Sequence, residues 1–121
     1  MIEGNRVAHK PSTPEDSDIT IHFPQDGLIH DEDALAITEA MKQALNQHGE
    51  LAEHYPGSVY EIDHELGAIC VTNYFLNLPL ENAEKLAVDA AREVGEDHGI
   101  KFPFGHPAHH IKPLGSIGLR N

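Results

Sequence analysis

The chain has 121 residues, 40% of them hydrophobic, and its 20 Asp and Glu outnumber 8 Lys and Arg to give a formal net charge of −12. One domain with one hydrophobic core fits this length, and the acidic balance weighs against binding nucleic acids or anionic membranes, which need clustered Lys and Arg. A single cysteine, Cys70, excludes an intrachain disulfide. Because no N-terminal apolar stretch is typical of a signal peptide, we expect a cytoplasmic protein.

The start of the chain is polar and has no hydrophobic period, which predicts a flexible tail over residues 1–17 ahead of a single domain over residues 18–121. Apolar and polar residues then alternate over residues 18–23, which predicts a half-buried strand. The residues on its buried face are Ile19, Ile21 and Phe23.

The middle of the chain predicts a helix followed by a hairpin. Apolar residues near helical spacing, Leu35 among them, indicate a helix over residues 30–48, with Asp31 as its N-cap. Alternation resumes over residues 58–65, and a further strand is expected over residues 68–75 after a tight turn.

A second helix is expected from Pro79 to about Asp97, because proline suits the first helical turn and apolar residues recur on one side from Ala83 to Val94. A last strand over residues 109–114 would lie at a sheet edge, since Pro113 lacks the backbone donor. The resulting order is β-α-β-β-α-β. It predicts an α+β fold of the ferredoxin-like, split βαβ sandwich type, with an antiparallel sheet carrying two helices on one face.

The face of this sheet opposite the helices is expected to be open and to carry the residues of most interest. If Tyr60 and Ile62 are buried, the alternate residues of their strand join those of the first strand on the open face. The predicted open-face set is Thr20, His22, Glu61, Asp63 and Glu65. Its functional interpretation is a docking surface for a basic partner or carboxylate ligands for a cation; the alternative is a solvated face made acidic for solubility.

Histidines form a second cluster near the end of the chain, at His106, His109 and His110. Closely spaced imidazoles are suited to Zn²⁺ or Ni²⁺. On a strand, however, His109 and His110 would point to opposite faces, and the alternative interpretation is a polar edge segment. No phosphate-binding glycine motif and no nucleophile elbow occurs.

Three hypotheses follow from these features. The first is a small, acidic, non-enzymatic regulatory module that docks a basic protein partner through its open sheet face, in the manner of an inhibitor or immunity protein. The second is a histidine-based transition-metal-binding protein that uses His106, His109 and His110, with His22 and nearby carboxylates as further candidate ligands. The third is a small oligomeric enzyme of unknown reaction. A homo-oligomer, in the simplest case a dimer joined by an edge strand or by exchange of the C-terminal segment, is compatible with all three.

Overall fold

A computed structural model describes residues 14–115 and contains a single antiparallel sheet of four strands in the spatial order β2-β3-β1-β4. The strands are β1 (Pro14–Pro24), β2 (Gly57–Asp63), β3 (Ala68–Pro79) and β4 (Ala108–Gly115). Helix α1 (Asp31–Asn46) and a short 3₁₀ segment (Gly49–His54) connect β1 to β2, and helix α2 (Leu80–Asp97) connects β3 to β4. The expected α+β fold, with an antiparallel sheet and two helices, is confirmed.

The hydrophobic core lies between the two helices and one face of the sheet. Alternate residues of β1 and β3 point into it, including Ile19, Ile21 and Val71, each fully buried. Met41 of α1 and Ala87 of α2 meet them from the helical side. Because side chains alternate along a strand, this packing turns the intervening residues of β1 and β3 toward the opposite face.

A chain of buried polar side chains crosses the core near the start of β2. The hydroxyl of Tyr55 donates to Ser58 Oγ at 2.5 Å, and Ser58 donates in turn to Asn73 Oδ1 at 2.6 Å. The amide nitrogen of Asn73 donates to the backbone oxygen of Ile19 at 3.0 Å. The side chain of Asn73 is fully buried, so these bonds satisfy a polar group that would otherwise be costly to bury.

The bounds of several elements differ from those expected from the sequence. Strand β1 begins at Pro14, so residues 14–17 of the predicted tail belong to the sheet, whereas residues 1–13 lie outside the described residues. Pairing with β3, together with a bond from the backbone nitrogen of Asn77 to Asp16 Oδ1 at 3.0 Å, extends the strand into this polar segment. The local composition alone therefore led to an underestimate of the length of this strand.

The first helix also departs from expectation at both ends, since it covers Asp31–Asn46 and not residues 30–48. His30 is its N-cap residue and makes no side-chain capping bond, whereas Asp31 is the first helical residue, where its charge still suits the helix dipole. Leu35 was expected in the buried stripe but is 51% exposed.

The hairpin strand β2 ends at Asp63 and not at Glu65 as expected. Asp63 Oδ1 accepts the backbone N–H groups of Glu65 and Leu66 and so forms the turn.

Candidate binding site on the open sheet face

The open face of the sheet is built from the residues that alternate with the core positions. Cross-strand pairing sets Thr20 of β1 opposite Thr72 of β3 and His110 of β4. The hydroxyl oxygens of Thr20 and Thr72 are 2.8 Å apart. Two residues further along β1, His22 lies opposite Cys70 of β3, and Cys70 lies opposite Glu61 of β2. Together the four strands surround a shallow cleft of about 420 Å³.

His22 is the hub of the hydrogen bonds in this cleft. Its Nε2 lies 3.2 Å from Nδ1 of His110, and its Nδ1 lies 3.5 Å from Sγ of Cys70. One assignment of protons satisfies all three groups: the thiol donates to Nδ1 of His22, and Nε2–H of His22 donates to His110. The second ring nitrogen of His110 then remains available, and the His110 side chain is exposed.

The protonation states in the cleft follow from burial and from neighbouring charges. Partial burial lowers the pKa of His22 below its ordinary value of 6.5, and His110 lowers it further, while the Asp63 carboxylate raises it. Burial raises the pKa of the Cys70 thiol above 9.0, and the charges of Asp63 and Glu61 add to this effect. Near neutral pH the site therefore contains an uncharged imidazole and a protonated thiol.

Carboxylates dominate the charge of the cleft. Glu61 and Asp63 line it from β2 and Asp18 lines it from β1, against a single lysine, Lys112. Burial raises the pKa of Asp18, and the charge of Lys112 partly offsets this rise. Among the residues that the structure describes, Oδ1 of Asp18 is buried and has no hydrogen-bond partner.

The predicted open-face residues are largely brought together. Thr20, His22, Glu61 and Asp63 all line the cleft, but Glu65 does not, because β2 ends at Asp63 and Glu65 belongs to the following turn. Sequence reasoning did not assign six further residues to this face, although it had singled out one of them, His110, as a candidate metal ligand. Those residues are Asp18, Cys70, Thr72, Tyr74, His110 and Lys112. The period-two spacing along β1 and β3 was the signal that could have found Asp18 and Cys70.

The three histidines predicted as metal ligands do not converge. His110 faces the open cleft, whereas His109 faces helix α2, where its Nε2 lies 2.8 Å from the Glu84 carboxylate. His106 is exposed in the segment before β4, beside a second cleft that His109 also lines. Within residues 14–115, no group of three or more His, Cys, Asp and Glu side chains is arranged to hold a metal ion.

An apolar cleft of about 320 Å³ adjoins the open face at one end of the sheet. His22 lines both this cleft and the polar cleft, and Leu66, Phe102 and Pro103 contribute apolar surface. Leu66 is 63% exposed. The two clefts share His22, so a bound segment could place an apolar side chain beside a cationic one.

Comparison of the chain with models of protein families, with curated proteins and with solved structures found no match. In the described part of the chain, neither helix has the length and apolar character needed to cross a membrane. The chemistry of the open face is consequently the basis for any statement about function.

Proposed function

We propose that the chain is a non-enzymatic binding module that docks a basic protein partner through the open face of its sheet. Within the α+β class, we assign the fold to the ferredoxin-like, split βαβ type. The succession of elements along the chain supports this assignment, as does the strand order β2-β3-β1-β4 with β1 and β3 at its centre.

The observation that carries the proposed function is the excess of carboxylates in the cleft, where Asp18, Glu61 and Asp63 accompany a single lysine. Lys or Arg from a partner would compensate these negative charges and donate to the carboxylate oxygens that face the cleft. Glu61 and Asp63 stand on the opposite side of the same cleft and extend the negative surface. Arginine suits this arrangement best, because its planar guanidinium can engage carboxylates in pairs.

The charge of the whole chain supports the same proposal. A net charge of −12 would draw a basic protein toward the module over long range and speed their encounter. An inhibitor or immunity-type protein that covers a cation-rich surface has this charge pattern. The partner class is thus a protein with an exposed Arg- and Lys-rich patch.

An enzymatic role has less support in the open face. The thiol of Cys70 lies beside an imidazole, but its raised pKa keeps it protonated, whereas a nucleophilic cysteine needs a lowered one. The other groups of the cleft are a second imidazole, a threonine hydroxyl pair, carboxylates, Tyr74 and Lys112, and their arrangement selects no reaction. Dimerisation through an edge strand or the C-terminal segment stays a prediction.

The proposal is tested with a short synthetic Arg-Gly peptide as a probe and a Gln-Gly peptide of equal length as its control. Replacing Glu61 with Gln and Asp63 with Asn removes two charges from the cleft, and the Asn retains the oxygen that forms the turn. We expect the double variant to bind the Arg-Gly peptide about tenfold more weakly, measured by calorimetry at low salt.

The matched control is the double variant Glu93→Gln, Glu96→Gln, which removes the same charge from exposed positions on α2. Its affinity for the Arg-Gly peptide should be within about twofold of that of the parent protein, because these groups are away from the cleft. Equal weakening in both double variants would contradict the assignment, since the peptide would then sense net charge and not the open face.

A further inference from the structure

Two histidines from the two ends of the described chain meet on the open face. His22 belongs to β1 and His110 to the neighbouring edge strand β4, and their side chains are diagonal neighbours across the strand pair. Nε2 of His22 lies 3.2 Å from Nδ1 of His110, with ring centroids 5.2 Å apart. Both nitrogens are therefore directed into the same small space.

This separation matches the geometry of a metal chelate. Two imidazole nitrogens bound to a tetrahedral Zn²⁺ at about 2.0–2.1 Å are about 3.3–3.4 Å apart. In the hydrogen bond the two nitrogens point at each other, so a chelate needs a turn of the rings as well as a slight opening, and the exposed ring of His110 has room to move. In the metal-free protein, the same two nitrogens share one proton through a hydrogen bond.

The surroundings of His22 also suit a ligand role. With a metal on Nε2, its Nδ1–H would donate to Sγ of Cys70, which lies 3.5 Å away and would fix the orientation of the ring. The nearby carboxylates of Asp63 and Glu61 make the cleft attractive to a cation. The remaining coordination positions would open onto the cleft and be filled by water or by groups of a bound molecule.

We propose that Nε2 of His22 and Nδ1 of His110 chelate one divalent transition-metal ion of the class that prefers imidazole, such as Zn²⁺ or Ni²⁺. This site narrows the ligand candidates expected from the sequence to His22 and His110, because His106 and His109 line another cleft. It goes beyond the proposed docking function and does not depend on a basic partner.

The first test is calorimetric titration of tag-free protein, stripped with a chelator, with Zn²⁺ and Ni²⁺ near neutral pH. We expect one ion per chain. The single variants His22→Gln and His110→Gln should each weaken this binding by about tenfold or more, because each leaves one imidazole ligand. His106→Gln is the matched control, and it should bind as the parent protein does.

Calcium distinguishes the chelate from simple attraction to the acidic face. Ca²⁺ prefers oxygen ligands, so it should show no comparable binding, and the variant Glu61→Gln, Asp63→Asn should retain most of its Zn²⁺ affinity. The same double variant is expected to bind the Arg-Gly peptide about tenfold more weakly, so the metal proposal and the docking proposal can be tested separately. Equal binding of Ca²⁺ and Zn²⁺ would overturn the chelate.

A measurement on the parent protein removes any dependence on how the variants fold. Paramagnetic Ni²⁺ at substoichiometric amounts should broaden the backbone amide NMR signals of Thr20, His22 and His110 before those of His106 or His98. Broadening centred on His106, or the absence of any saturable Zn²⁺ binding, would overturn the proposal.

Discussion

Sγ of Cys70 lies 3.5 Å from Nδ1 of His22, yet the two groups are held in their uncharged forms. Burial and the acidic neighbours raise the pKa of the thiol, while burial lowers that of the imidazole. A proton transfer from Cys70 to His22 would create a thiolate beside two carboxylates and an imidazolium in a partly buried place. The contact therefore orients the histidine and does not activate the cysteine.

Cys70 is accordingly expected to react slowly with thiol reagents. At about pH 8 its alkylation by iodoacetamide should be about tenfold slower than that of glutathione, because only the thiolate reacts. Removing the nearby charges with Glu61→Gln and Asp63→Asn should accelerate the reaction, as measured by mass spectrometry. An alkylation rate faster than that of glutathione would show that the thiol is activated and would support an enzymatic role.

The stability of the protein should decline on mild acidification through His22. Its folded-state pKa lies below the ordinary value of 6.5, so the unfolded chain binds more protons near that pH. The contribution of His22 is thus fully present above the unfolded pKa and is lost as the pH falls below it. The groups that face this imidazole are Cys70, Asp63, His109 and His110.

The variant His22→Gln should flatten this part of the pH dependence. Urea unfolding at several pH values between about 7.5 and 5 would measure the slope of the unfolding free energy. His98→Gln, at an exposed position after α2, is the control and should leave the slope unchanged. Identical slopes in His22→Gln and the parent would mean that His22 does not couple protonation to folding.

Asn73 should be among the costliest polar residues to truncate. Asn73→Ala leaves the backbone oxygen of Ile19 without this donor, takes the acceptor away from Ser58 and opens a small cavity. We expect a loss of about 2–4 kcal/mol in the free energy of unfolding. Asn82→Ala, at an exposed position of α2, should change it by less than about 0.5 kcal/mol. Similar effects at the two sites would contradict the importance of the buried polar chain.

The effect of Gly95→Ala on the free energy of unfolding should change sign when Phe102 is also replaced. A Cβ at residue 95 would lie 2.6 Å from Cε2 of Phe102, and that ring packs near Phe23 with centroids 6.0 Å apart. Gly95→Ala alone should therefore destabilise the protein by about 1–2 kcal/mol, despite the better helix propensity of alanine.

In a Phe102→Ala background, the obstacle is gone and Gly95→Ala should stabilise α2 by up to about 1 kcal/mol. Thermal or urea unfolding of the four proteins measures the coupling between the two positions. Additive effects, with the same sign in both backgrounds, would show that the ring moves aside without cost.

Local patterns in the sequence were sufficient to predict the elements of the fold. Alternation identified β1 and the buried side of β2, and helical spacing identified α1 and α2, because each pattern depends on neighbours only a few residues away. The same alternation predicted that Thr20, His22, Glu61 and Asp63 share a face. Glu65 was misassigned because the side chain of Asp63 ends the strand by bonding two backbone groups of the turn.

Only the tertiary structure decided which distant residues meet. His22 and His110 are separated by 88 positions in the sequence, and their contact depends on the register of β4 against β1. A shift of one residue would exchange His110 for His109 on the open face, since side chains alternate along a strand. The sequence by itself determined the strands, the helices and most of their buried faces. The register, which is set by the packing of the whole sheet, determined which residues form the candidate site.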